Sequence, residues 1–276
     1  MAAKPRYVID DLLYLMKRLR DRESGCPWDC EQDHASLIKY TLEEAYEVAD
    51  AIERGDTEHL PEELGDLLFQ VVFYAQVGAE QEQFDFADVV DRIVAKLISR
   101  HPHVFPDGTL HSHRDSSLVP RKLEISATWE QKKHEERRSK GHSRLLADVP
   151  VAMPALMRAE KIQKRAAKVG FDWPDLQGVL AKIQEELEEF TSELGNSNVA
   201  AIEEELGDIL FSVVNLARRV GCDAESTLRR ATQKFERRFN VMEDLALKQG
   251  LSLADLEGHT MDRLWHEAKR LERSID

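Results

Sequence analysis

Residues 62–69 read EELGDLLF and residues 204–211 read EELGDILF. Set side by side without a gap, 43–75 and 185–217 are identical at 13 of 33 positions. The shared positions include Glu43/Glu185, Glu44/Glu186, Glu47/Glu189, Glu63/Glu205, Gly65/Gly207 and Asp66/Asp208. The correspondence runs outward in the same order with small changes of length: Trp28 with Trp173, Lys96 and Arg100 with Lys234 and Arg238, Trp129 and Lys133 with Trp265 and Lys269. Ordered matches over so long a span mean one domain present twice. A chain of 276 residues has room for two domains of ordinary size. The expected division is 1–140 and 141–276, with the seam in the polar stretch RRSKGHS at 137–143.

The repeated unit reads as helices. Leu64, Leu67, Leu68, Val71, Val72 and Ala75 recur at the spacing of one helical face, and Leu206, Ile209, Leu210, Val213, Val214 and Ala217 repeat it. Alternating β-branched runs with Asn-Gly turns are missing. Short polar connections, ERGDTEH and GNSN, suit antiparallel neighbours. The expected fold is all-α, two helical bundles in tandem. PDGTLHSHRDSSLVP, 106–120, is expected to be a loop.

The acidic residues are placed to do chemistry. Glu44 and Glu47 stand three apart on one helix, Glu63 and Asp66 three apart on the next; Glu186 and Glu189 with Glu205 and Asp208 repeat this. Antiparallel packing would converge each set into a four-carboxylate site. A solvated acidic face would interleave Lys or Arg, because like charges a turn apart destabilise a helix. Between Ile183 and Ala217 there are nine acidic residues and no Lys or Arg. The pattern therefore points to a hard metal ion, Mg²⁺ with Mn²⁺ as a substitute, since the donors are all oxygen. Gly65 and Gly207 sit inside helices at a cost of about 1 kcal/mol each. Either a close approach by a ligand or second helix, or a tight helix crossing, would explain them.

Net charge is −14 and pI near 5.2, against a stable nucleic-acid partner. The longest uncharged apolar stretch, LLFQVVFYAQVGA, is too short for a bilayer span. Asp10 and Asp11 stand where a signal peptide needs its apolar run, and Cys26, Cys30 and Cys222 cannot all pair. The expected setting is cytoplasmic, with reduced thiols and no membrane contact. His101, His103, His111 and His113 invite a zinc reading, but only the first copy has them, and a solvated loop, or a helix end near the site, is the expectation. Glu-x-x-His pairs of a di-iron bundle are absent, as is any glycine-rich phosphate loop.

Taken together, YTLEEAYEV, EELGDLLFQVVFYAQ, RHPHVF, ALMRAEKIQKRAAKVGFDW and KFERRF cover nearly the whole chain and resemble the MazG family of nucleoside triphosphate pyrophosphohydrolases. The resemblance implies α-helical homodimers that use Mg²⁺ to split nucleoside triphosphates into monophosphate and pyrophosphate. It implies Glu186, Glu189, Glu205 and Asp208 as metal ligands of the second domain, and Glu44, Glu47, Glu63 and Asp66 as those of the first. Chemistry adds Glu185 as acceptor for a water proton. Lys234 and Arg238, a turn apart, would hold phosphate, with Lys182 a turn before Glu186. Trp265 with Lys269 would offer a stacking face and a phosphate contact, although core packing explains Trp265 equally well. Lys96, Arg100, Trp129 and Lys133 are the first-copy counterparts. The competing non-enzymatic expectation is a helical module whose acidic faces bind a basic protein.

Overall fold

The computed structural model describes residues 6–115, 144–196 and 198–273, together with residues 125, 128, 129, 132, 133, 135 and 136. The chain divides into two compact units, Met1–Glu136 and Arg137–Asp276. The expected seam at 137–143 lies outside the described residues. Among the described residues there is helix and no strand. None of the helices is long and apolar enough to cross a membrane.

The first unit contains α1 (Ile9–Leu19), the short α2 (Pro27–Glu31), α3 (Ile38–Arg54), α4 (Leu60–Glu80) and α5 (Phe86–Arg100). Gly55, left-handed at φ 70°, ends α3, and Pro61 sits in the first turn of α4, where its missing N–H costs nothing. The resulting α3–α4 pair is a tight hairpin. Asp85 opens α5 through a reciprocal cap with Asp88. Met16, Leu37, Val72, Phe73 and Val77 form the core.

The second unit contains α6 (Ala155–Lys168), α7 (Leu176–Asn196), α8 (Val199–Arg219), α9 (Ala224–Lys248), a 3-10 turn at Leu253–Asp255 and α10 (Gly258–Glu272). Asn198 and Asp223 cap α8 and α9 by accepting from the backbone N–H of Ala201 and Ser226. The α7–α8 hairpin is the counterpart of α3–α4, and α6 packs on α8. A separate small core of Met242, Ala246, Leu264 and Ala268 joins α9 to α10.

The apolar face expected along α4 and α8 is covered only in part. Val72, Ala75 and Val214 are buried, whereas Leu64, Leu68 and Val71, and their counterparts Leu206, Leu210 and Val213, remain exposed. The stripe is wider than the surface its own neighbours cover. Gly65 and Gly207 lie on this exposed side. A Cβ at either position would meet nothing within 4 Å, so a tight helix crossing within the described part of the chain does not explain them.

Arg20 ties the first unit together. Its guanidinium is buried, donates from Nε and Nη2 to Glu80 at 2.9 and 2.7 Å, and caps the carbonyls of Asp29 and Gln32. One side chain thus fastens α1, α2 and the end of α4. Glu80→Ala would strand a buried cation and is expected to cost about 3 kcal/mol in urea unfolding of this unit. An unchanged midpoint for Glu80→Ala would show the pair to be inert.

Candidate active site

In the second unit the hairpin sets Glu186 on α7 opposite Glu205 and Asp208 on α8. One oxygen from each lies within 4.8 Å of the other two. Glu44, Glu63 and Asp66 form the same triad in the first unit. The fourth carboxylate of each predicted set stands beside its triad, not within it. Glu47 is exposed and hydrogen-bonds Glu44; Glu189 is exposed and acts on Glu205 through its charge. Burial, followed by the nearby charges of Glu189, Glu186, Asp208 and Glu204, holds the Glu205 carboxyl above its usual range. Burial, the bond to Glu47 and the charges of Glu47, Asp66 and Glu43 do the same to Glu44. Carboxylates crowded this way favour proton uptake unless a cation lies between them. Three hard oxygen donors suit Mg²⁺ or Mn²⁺.

The two triads differ in their nearest cation. Lys182 donates to Glu186 at 2.7 Å and to Glu185 at 2.9 Å. These two bonds, with Glu186 foremost, push the Lys182 ammonium well above its ordinary pKa. In the first unit the equivalent position is Tyr40, whose ring lies under the Lys39 ammonium at 4.6 Å and edge-on to Trp28 at 5.6 Å.

A cleft of about 720 Å³ opens beside the second triad. Lys182, Glu186 and Asp208 line it together with Gln163, Phe171, Asp172, Trp173, Phe211, Asn215 and Arg218. Asp172 organises one wall. Arg218 and Arg219 both bind its carboxylate, and it accepts from the Trp173 N–H at 2.9 Å. The bond from Arg218 holds Asp172 below the usual carboxylate range despite partial burial. Gly178 supplies the space for the indole, since a Cβ there would lie 2.7 Å from Trp173 Cε3.

The other predicted residues gather elsewhere. Lys234 and Arg238 are on α9, Trp265 and Lys269 on α10, and none of the four lines the cleft. Arg238 pairs with Glu272, and Trp265 packs partly buried on the α9–α10 core with Phe235 at 5.2 Å. In the first unit Arg100 and Lys133 both lie over Trp129, at 5.1 and 5.5 Å, while Lys96 is exposed on α5. Of the four histidines, His101 caps the end of α5, stacks edge-on with Trp129 and lies 5.5 Å from His103. Among the described residues no candidate metal cluster includes any of them. Within the expected loop, residues 106–115 are non-helical, and 116–120 lie outside the described residues.

Sequence reasoning passed over Gln163, Asp172, Asn215 and Arg218. A signal existed for one of them: Arg218 and Arg219 are the first basic residues after the long acidic run that ends at Ala217.

This arrangement, twice a helix hairpin with an acidic triad, agrees with what the comparisons return. The MazG nucleotide pyrophosphohydrolase domain matches residues 32–105 and again 175–242, and the chain belongs to that family. It is 51% identical over 266 residues to the nucleoside triphosphate pyrophosphohydrolase of Escherichia coli K12, covering 96% of this chain and 98% of that protein. It is 42% identical over 262 residues to the nucleoside triphosphate pyrophosphohydrolase/pyrophosphatase MazG of Thermotoga maritima, covering 95% and 96%. An uncharacterised Bacillus subtilis protein, YabN, is 43% identical over 91% of this chain, which spans 49% of its length.

The Asp172 cluster yields a test with a defined pH dependence. Its carboxyl titrates lower in the folded than in the unfolded chain. The stabilisation is therefore complete above the unfolded pKa, about 4, and is lost as pH falls through the folded value. Asp172→Asn should cost about 1–2 kcal/mol in chemical denaturation at pH 7 and equally at pH 5. The gap from the parent should close only below about pH 4; closure between pH 7 and 5 would rule out this ion pair as its source.

Proposed function

We propose that this chain hydrolyses nucleoside triphosphates between the α and β phosphorus atoms, giving nucleoside monophosphate and pyrophosphate. The observation that carries this reading is the pair of three-carboxylate clusters, formed in both copies by the same helix hairpin. Relatives that bear the activity in their names match the chain end to end. Glu186, Glu205 and Asp208 would hold a divalent ion, Mg²⁺ in the first instance, with Glu189 beside them; Glu44, Glu63 and Asp66 with Glu47 would do so in the first domain. Such an ion supplies positive charge against the phosphate oxygens and Lewis acidity at the reacting phosphorus.

The protein's own groups supply the rest. An anionic triphosphate approaching four carboxylates needs cations, and Lys182 is already at the triad. Glu185, more than half exposed and paired with Lys182, would accept a proton from the attacking water. The cleft beside the triad holds the remainder of the nucleotide. Lys234, Arg238, Trp265 and Lys269, and Lys96, Arg100, Trp129 and Lys133, stay as candidate substrate contacts on helix pairs away from the triads.

The domains divide after residue 140, and the working form is a cytoplasmic homodimer that has no need of nucleic acid or membrane. The matching exposed stripes on α4 and α8 support a second copy as the missing cover, since a soluble chain gains by burying such patches.

Incubating the protein with ATP and Mg²⁺ should release AMP and pyrophosphate, and removing bound metal with EDTA should abolish release. Orthophosphate with ADP, or full turnover in EDTA, would overturn the reading. The presence of Lys182 and the open cleft makes the second site the more active one. Glu186→Ala or Asp208→Ala should lower turnover at least tenfold more than Glu44→Ala or Asp66→Ala, a difference of about 1.4 kcal/mol in the barrier. Equal losses, with circular dichroism unchanged, would mean both sites work.

A further inference from the structure

We propose that Lys182 is a built-in competitor of the divalent ion at the second triad: its ammonium holds the Glu186 carboxylate that the ion needs and must leave before the ion can enter. The inference rests on the reading of the triad as a metal site and adds how that site is loaded.

Lys182 and Glu186 stand four residues apart on α7. The ammonium lies 2.7 Å from Glu186 Oε1 and 2.9 Å from Glu185 Oε1. The Glu186 side chain is only 5% exposed, whereas that of Lys182 is 33% exposed. A nearly buried carboxylate is thus met by a cation that still reaches solvent. Glu186 is also the α7 member of the triad, with an oxygen within 4.8 Å of oxygens on Glu205 and Asp208. Helix stability does not call for this pairing, because a lysine ahead of a glutamate is the weaker orientation at this spacing. Lys182 is moreover the last basic residue before the acidic run that continues to Ala217. Its position therefore answers to the carboxylates.

An ammonium and a metal ion compete for the same oxygens. A Mg²⁺ ion binds carboxylate oxygen at about 2.0–2.1 Å, so an ammonium left on that carboxylate would stand only a few ångströms from it. Repulsion between a single and a double charge about 5 Å apart is worth about tenfold in affinity even under water-like screening. The flexible stem of the lysine lets the ammonium swing away without any backbone movement. Lys182 therefore raises the ion concentration at which the second triad fills, and it relieves the repulsion among the carboxylates until the ion arrives. The first triad presents the same three donors but has Tyr40 in that place, with the Lys39 ammonium drawn over its ring at 4.6 Å. One chain thus carries two matching ligand sets, and the second fills against a lysine.

Titration of the metal-stripped full chain with Mn²⁺, read from the electron paramagnetic resonance of the free ion, tests this directly. With the first triad disabled by Glu63→Gln, adding Lys182→Met should tighten Mn²⁺ binding at the second triad about tenfold, whereas Lys182→Arg, which keeps the charge, should not. The reciprocal graft gives a second reading. With the second triad disabled by Glu205→Gln, Tyr40→Lys should weaken Mn²⁺ binding at the first triad about tenfold. The graft carries the test if Lys182→Met fails to fold. Unchanged or weaker binding in Lys182→Met, or unchanged binding in Tyr40→Lys, overturns the competition, while Mg²⁺-dependent release of pyrophosphate from ATP leaves the proposed activity standing. Absence of Mn²⁺ binding at both triads, with full turnover in EDTA, overturns the two together.

Discussion

Three carboxylates forced within 4.8 Å of one another are the constraint around which each unit is organised. Left alone they repel, and the helices that carry them would separate or take up protons. The hairpin turn, the caps and the packing of α6 on α8 oppose that tendency, and they do so without placing a fixed salt bridge on every acid. A bundle selected for stability alone would interleave lysines along α7 and α8. This one keeps the run from Ile183 to Ala217 free of them. The organising force of the site is thus a deficit of positive charge.

The two copies meet that deficit differently. In the second, Lys182 lies against Glu186 and Glu185 and provides a resident positive charge. In the first, Tyr40 takes that position, and burial with the neighbouring Glu47, Asp66 and Glu43 carboxylates raises the Glu44 carboxyl above its usual range. The same backbone geometry therefore gives one site with a lysine against its carboxylates and one with a tyrosine in that place. The electrostatic surroundings of the two triads therefore differ even though their carboxylates match letter for letter.

Much of this was legible in the order of the residues. Helical class, duplication and the acidic pairs at i, i+3 follow from spacing, because the geometry of a helix fixes which residues share a face. The convergence of Glu186 with Glu205 and Asp208 was legible too, since a short GNSN connection leaves little choice of packing. Membership of the triad was not. Glu189, three residues on, sits about 60° around the helix from Glu186 and is exposed, whereas Glu186 is buried against the hairpin partner. Gln163 gave no sign at all: within AEKIQKRAA it reads as one polar residue among charged ones, and its burial arises from α8 lying across it. Trp173 stood out as a partner of Trp28, yet its role depends on Gly178 and on the Asp172–Arg218 pair, both remote from it in kind. What sequence could not convey was long-range contact specified by single side chains.

Gly65 and Gly207 carry a consequence of another sort. Each interrupts a good helix on an exposed apolar stripe, beside Leu64 and Leu68 or Leu206 and Leu210, and each faces open space. Among the described residues nothing compensates for the helical propensity they forgo. Their usefulness must lie in what comes up against that face, where the missing methyl lets a backbone or a ligand settle closer than any other residue would permit. The sign of such a glycine's contribution is then set by occupancy: a liability in the solitary chain, an asset once the face is covered.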